Sequence, residues 1–555
     1  MTRTHRLPHS RLLTLPALVA LVVGAALMGV PAQAVTTNPP DQFGSDWDDP
    51  QTAAPPVQAP DTKHCTVTLV QHDFDNYDPA TSTFTPPNRC RGQWSKVVLR
   101  LDGSVKGRQY DRIGRLELGG VTIFRLSTPE PSPDGINWHV EKDVTEYAPL
   151  MNQTQQVQMW LGNTVNSTYT GVFHIHVTLT FYKPGRGARP ARTADQVLPL
   201  TSQTRDNGDL VGDLTVPRNT KRLVGEVYAS GSGGGCEEFW DTSAPASTGY
   251  SCSDGLPYRE VDVLIDGRVA GIALPYPQIY TGGWSNPYLW AAIPAPRAFN
   301  ISPVRYDLTP FVGELTDGQP HQVRLQVAGV PEGQGGWSLY PDFQVWQDHG
   351  RSQVHGRVTS YEVRDPQIDS TVKGHDDQRG SVDVEGSRSL HVTGHVDTSS
   401  GRVTTNVSRR LTNTSHHAWA DGESHDALSA KWHDRSVTTT FGTRRWPRVQ
   451  TSGLEYSKHG HIDFLPHPGI PGAYDITTEL HLGDKAHSLG RSGPRVKLDT
   501  FDGTASWIYN VPRDQRHATA HTQERYRLYG DPEIGCYDHR LATVNGSFVT
   551  DRQSC

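Results

Sequence analysis

Between residues 113 and 126 the apolar positions recur with a period of two on both sides of a Gly119-Gly120 pair. That period sends successive side chains to opposite faces of a strand, and a glycine pair supplies the positive φ of a tight turn, so a β-hairpin is predicted here. Asp111 and Arg112 stand where its first strand begins, and Glu130 stands beyond the end of its second. Antiparallel pairing brings those charges to one end of the sheet. An ion pair at a strand start followed by a polar loop accounts for them as readily as a site does.

The same punctuation runs along the chain. Its 555 residues include 53 Gly and 40 Pro, and short alternating runs recur at 66–71, 96–101, 157–161 and 171–182. The prediction is an all-β chain, long enough for about three or four domains. In the run 171–182, His174 and His176 share one face; with no third ligand in view, an exposed strand face is expected rather than a metal site. A Pro- and Gly-rich linker at 184–201 separates a first domain, 63–188, from a second, 202–349. Beyond it, 352–555 is a β-rich region with strands expected at 353–363, 381–396, 402–411, 521–528 and 542–550. Its histidines, His416, His417, His425, His433, His459 and His461 among them, lack ordered ligand spacing and are expected on solvated surface.

The N-terminus reads as a targeting segment: Arg3, His5, Arg6 and Arg11 precede an apolar run, and Ala32-Gln33-Ala34 offers small residues at cleavage spacing. A signal peptide over 1–34 and an exported protein of bacterial origin are expected, followed by a disordered leader over 35–62, rich in Pro, Asp and Gln. No other stretch is long and apolar enough to span a bilayer. The net charge of −7, without a basic block, gives no reason to expect nucleic acid or an anionic membrane as partner. Six cysteines fall as three local pairs, Cys65 with Cys90, Cys236 with Cys252 and Cys536 with Cys555. As disulfides each is worth roughly 3 kcal/mol, although six cysteines permit other pairings.

The glycine run at 231–235 follows a strand expected at 223–229. It lacks the Lys-Ser/Thr and helix pattern of a phosphate loop and reads as a flexible loop. No Gly-x-Ser-x-Gly elbow or His-Glu-x-x-His is present, and with the cysteines paired no thiol nucleophile remains. Carboxylates with neighbouring donors are left as candidate machinery.

Several of these segments resemble the peptide:N-glycosidases, amidases that cut N-linked glycans from asparagine. Tyr110-Asp111-Arg112 before a hairpin, Arg125-Leu126-Ser127-Thr128-Pro129, and the closing Asp143-Val144-Thr145 resemble that family's first domain, and the wording from Ser127 to Gly135 resembles its A branch more than its F branch. Gly235-Cys236-Glu237-Glu238-Phe239 resembles the second-domain motif that places a catalytic glutamate at the interdomain cleft in the F branch, with Phe239 where that motif has tryptophan. The resemblance spans at least 65–349. It implies two jelly-roll-like antiparallel β-sandwiches with a C-terminal β-rich extension.

It also implies an amidase that acts on N-glycosylated peptides or proteins, releases the N-glycan and converts asparagine to aspartate; with no ordered ligand triad in the sequence, no metal or cofactor is expected, and the chain is expected to act as a monomer. Asp111 is the expected principal catalytic carboxylate, with Arg112 as its charge partner, and Glu238 is expected to orient the attacking water or the amide from the second domain. Gln158 stands where the F branch has a further glutamate. Gln158, Trp160, Arg112, Glu130 and Glu237 are expected to bind substrate, with Trp240 as a stacking platform. Two other classes remain open: a glycan-binding or adhesion protein without catalysis, and a glycoside hydrolase using Asp111 and Glu238.

Overall fold

The computed structural model describes residues 49–131, 134–233, 235–252, 255–280, 286–331, 335–374, 376, 378–442, 446–490 and 492–555. The expected signal peptide and the leader up to residue 48 lie outside the described residues.

The chain folds as two antiparallel β-sandwiches followed by one large antiparallel sheet. In the first sandwich, His64–Phe74, Val172–Tyr182, Lys96–Lys106 and Ile136–Asp143 form one sheet, facing Ala80–Phe84, Gln155–Leu161, Ile113–Leu118 and Val121–Ser127. Period-two burial is clear in Val172–Tyr182: Phe173, Ile175, Val177, Leu179 and Phe181 are buried, while His174 faces out and contacts Asp73 at 2.7 Å. The expected hairpin forms, with Leu118 opposite Val121 and both turn glycines left-handed at φ 61° and 80°, a type I′ arrangement. Every residue of Val121–Ser127 is buried, because the second sandwich covers its outer face. The strand Ile136–Asp143 was not anticipated from the sequence.

The second sandwich sets Thr201–Asp206, Asp209–Leu214, His321–Ala328, Glu260–Ile265 and Arg268–Ala273 against Val304–Asp307, Thr220–Ser230, Ser338–Gln347 and Gln196–Pro199. Gln196–Pro199 lies in the segment read as a linker, yet it pairs with Ser338–Gln347 and buries Val197.

Among the described residues the C-terminal sheet has eleven strands; Gly401–Ala420 runs far beyond the expected 402–411, and Arg448–Pro466 was not anticipated from the sequence. The run 542–550, expected as one strand, is the end of Gly535–Val544, a turn at Asn545-Gly546 with φ 49° and 78°, and the start of Ser547–Ser554. The sheet is fused to the second sandwich: Leu390, Leu411, Leu428 and Trp432 share one core with Val263, Ile272 and Leu325. Arg388 reaches from it to Asp262 at 2.6 Å and also binds Glu260, all three buried. His417 is buried too and contacts Asp426 at 2.7 Å, a correction to its expected exposure; His416, next along the strand, does face solvent.

Residues 286–301 form a strap that ties the three parts together. Trp290 stacks on Phe501 at 4.8 Å, Arg297 pairs with Asp484 at 2.9 Å, and Ile301 N donates to Arg125 O at 3.0 Å. The described part of the leader is also fixed: Gln51 N donates to Ala292 O at 2.9 Å, and the fully buried Ala53 donates to Glu524 at 2.7 Å. Residues 49–62 therefore do not form the loose leader their composition suggests; they are held by the strap and the C-terminal sheet.

Candidate active site

The Asp111 loop is pinned from below. Gln109 is buried, donates through Nε2 to Thr164 O at 3.0 Å, and accepts through Oε1 from Tyr110 N at 3.1 Å and from the Arg112 guanidinium. Arg112 N donates to Thr128 Oγ1 at 2.8 Å and Thr128 N to Arg112 O at 2.9 Å. That pair of bonds closes the hairpin one step beyond its ladder and carries Pro129 and Glu130 past Asp111. Arg112 Nε is buried without a hydrogen-bond partner among the described residues.

Glu238 comes from the second sandwich, on a short 3-10 segment, Gly235–Thr242, that is kinked at Phe239 (φ −115°, ψ 32°) and follows the strand Thr220–Ser230. Four of its residues, Cys236, Glu237, Trp240 and Asp241, fasten this segment. The Cys236–Cys252 disulfide closes its start, one of the three expected pairings, all of which form. Glu237 binds Arg259 with both oxygens, at 2.6 and 2.9 Å, and accepts from Trp337 Nε1 at 2.5 Å. Trp240 is buried edge-to-face on Trp432 at 5.7 Å, and buried Asp241 pairs with Lys458 of the C-terminal sheet at 2.8 Å.

The glycines before the turn allow close packing. A Cβ on Gly231 would collide with the Glu237 carbonyl and one on Gly233 with the Gly336 backbone, whose carbonyl accepts from Gly233 N at 2.7 Å. Among the described residues this stretch is a packed ledge, which corrects the expectation of a flexible loop.

The two elements meet. Burial, reinforced by the Asp111 charge, pushes the Glu238 carboxyl up to about 7 and the Glu130 carboxyl up to about 8. Burial also raises the Tyr280 hydroxyl, with Glu238 and Asp111 adding to the shift. Asp111, Glu130, Glu238 and Tyr280 thus form one electrostatic cluster at the seam of the sandwiches.

Arg125 stitches that seam. Buried at 2% exposure, it donates from the first sandwich to Ser230 Oγ at 2.6 Å and Ser232 Oγ at 2.8 Å in the second. The Tyr280 hydroxyl donates to Ser232 O at 3.4 Å. Neither Arg125 nor Tyr280 was picked out as a site residue from the sequence, although Arg125 lies in a segment whose wording carried the resemblance.

Other expected site residues are placed differently. Glu237 is consumed by Arg259 and Trp337, and Trp240 has no open ring face to offer a sugar; both support the Glu238 turn. Gln158 pairs opposite Glu117, near the turn end of the hairpin, whereas Asp111 precedes the other end of that strand at Ile113, and so Gln158 stands outside the cluster. Trp160 is covered by the Arg115 guanidinium at 3.7 Å, which also bonds the Tyr340 hydroxyl at 2.8 Å, making it part of the seam.

The family described as Peptide N-acetyl-beta-D-glucosaminyl asparaginase amidase A matches residues 53–364. Peptide-N4-(N-acetyl-beta-glucosaminyl)asparagine amidase A of Prunus dulcis is 32% identical over 533 residues, covering 90% of this chain and 91% of the relative. A solved structure of PNGF-II in space group C2 aligns at a TM-score of 0.35 and 13% identity, over 52% of this chain and 65% of that one, too distant to place any residue. The almond protein is from a plant, which lends no support to a bacterial origin. With the family matched across both sandwiches and a relative matched along nearly the whole length, the chain belongs to the peptide N-acetyl-beta-D-glucosaminyl asparaginase amidase A family.

Proposed function

We propose that this chain is an amidase that hydrolyses the bond between N-acetylglucosamine and asparagine in N-glycopeptides, with Asp111 and Glu238 as its catalytic pair. The observation that carries the assignment of residues is that two carboxylates from different sandwiches lie close enough for the charge of one to raise the other. Environments that separate the titrations of neighbouring carboxyls set up one as base and another as acid.

In this reading Asp111, at the innermost sugar, accepts a proton from water as the water oxygen attacks the amide carbon. Glu238, protonated on the acid side of about 7, donates to the departing glycosylamine nitrogen as the C–N bond breaks, leaving aspartate on the peptide. Arg112 Nε is the donor available to the developing oxyanion. Glu130 keeps the cluster from accumulating negative charge. Both carboxylates come from one chain, so a monomer suffices, and three local disulfides fit an exported protein.

Incubating a defined glycopeptide in heavy-oxygen water tests the reaction. Aspartate carrying the heavy isotope is expected. Asparagine that retains one sugar would establish a glycoside hydrolase instead, and unchanged glycopeptide that binds would establish a lectin.

A further inference from the structure

A cavity of about 400 Å³ opens where the first sandwich, the strap and the C-terminal sheet meet. Glu130 and Tyr110, the latter adjoining Asp111, line one side; Tyr288, Trp507, Tyr509 and Arg516 line the other. It is therefore continuous with the carboxylate cluster, yet Trp507, Tyr509, Arg513 and Arg516 in its wall belong to the C-terminal region, which supplies no catalytic group.

That wall is an aromatic cluster with embedded donors. Trp507 lies edge-to-face against both Tyr288 and Tyr509, each at 5.4 Å. Arg516 sits 5.2 Å from the Trp507 ring and bonds the Tyr288 hydroxyl at 3.3 Å. Tyr110 and Tyr509 keep 47% and 48% of their surface exposed, large for aromatic rings that face one cavity. Trp507 Nε1 and Arg516 Nε are buried without a hydrogen-bond partner among the described residues.

Exposed ring faces beside unspent donors suit a ligand with apolar C–H faces and a rim of hydroxyl acceptors, which is a pyranose. An extended peptide would need a free strand edge. The strand carrying Trp507 and Tyr509 offers none, since Tyr509 pairs with Tyr474 and Ile508 N donates to Arg516 O at 2.7 Å.

We infer that this aromatic and arginine wall of the C-terminal sheet binds the outer sugars of the N-glycan, making the sheet a specificity element of the active site; the inference rests on the amidase reading above. The glycan enters past Glu130 with its innermost sugar at Asp111 and its outer residues against Tyr509.

The test compares kcat/KM of the full chain on two glycopeptides of one peptide sequence, one bearing chitobiose alone and one bearing a branched oligosaccharide. Tyr509→Ala is expected to lower the ratio of the branched to the short substrate about tenfold, the scale of losing one aromatic anchor, and Tyr509→Phe to preserve it. An unchanged ratio in the alanine variant, or equal loss on both substrates, overturns the inference. Should the wild-type chain release neither glycan, the amidase reading fails by itself. The wall is then judged by titrating free branched oligosaccharide, where equal affinity of wild type and Tyr509→Ala overturns it.

Discussion

Glu237 and Glu238 are adjacent in sequence and serve opposite sides of one turn: Glu237 is sealed against Arg259 and Trp337, whereas Glu238 is only partly buried and feels the charge of Asp111. Successive residues on a 3-10 turn point about 120° apart. One carboxylate can thus be spent on holding the turn while its neighbour is presented at the seam.

The division of labour predicts two distinct phenotypes. Glu238→Gln should lower kcat on the order of a hundredfold with little change in folding, since it removes only a proton donor. Asp111→Asn should abolish turnover and leave glycopeptide binding largely intact. Single-turnover release of glycan, together with an equilibrium binding measurement, checks both; near-normal deglycosylation by Asp111→Asn would show the mechanism to be wrong.

Glu237→Ala should act through stability. It leaves a fully buried guanidinium without its carboxylate, a loss on the order of 3–5 kcal/mol, and frees the turn that carries Glu238. Chemical denaturation is expected to show a large fall in midpoint. Ordinary stability combined with lost activity would return Glu237 to the substrate-binding role expected from sequence.

Which parts could be read in advance follows from what alternation and motif wording encode. Val172–Tyr182 has one wet face and one buried face, so its period of two is visible in the sequence. The orientation of Glu237 against Glu238 depends on the rotation of a short turn, which no local pattern specifies. Gly231 and Gly233 have the composition of a flexible linker; that they are small because other backbone presses on them is tertiary information. Trp240 beside a carboxylate looks like a sugar platform until Trp432, nearly two hundred residues away in the chain, covers it. The C-terminal strands were legible as β structure, but their length and their role in supporting the site arise from pairing partners and a shared core.

The raised carboxyls set a pH dependence. Glu238 acts as an acid in its protonated form, so kcat/KM should fall as pH rises through about 7. Stability follows the same sense. The folded chain holds the Glu130 and Glu238 protons more tightly than the unfolded chain, where glutamate titrates near about 4.3. Their contribution is fully present below that value and is lost as pH rises through about 7 to 8. Thermal midpoints should therefore decline from pH ~5 to pH ~8.5, and Glu130→Gln should flatten the decline. A slope that this variant leaves untouched would remove Glu130 from the account.

Support from the C-terminal sheet can be isolated at Lys458 and Asp241. They are buried together at 2.8 Å, with Asp241 three positions after Glu238, beyond the kink at Phe239, and Lys458 in the strand Arg448–Pro466. Lys458→Met leaves the Asp241 charge buried without its partner and should cost several kcal/mol. It should also lower kcat, although Lys458 touches no proposed catalytic group. Adding Asp241→Asn removes the orphaned charge, so the double variant should recover much of the stability, a coupling of about 1–3 kcal/mol between contacting residues. If the pair only welds sheet to sandwich, kcat per folded molecule should be unchanged in both variants. If the sheet holds the Glu238 turn in register, kcat should fall in Lys458→Met and recover in part in the double variant, with KM for a chitobiose glycopeptide little affected. A fall in KM-dependent binding without a change in kcat would contradict this positioning role.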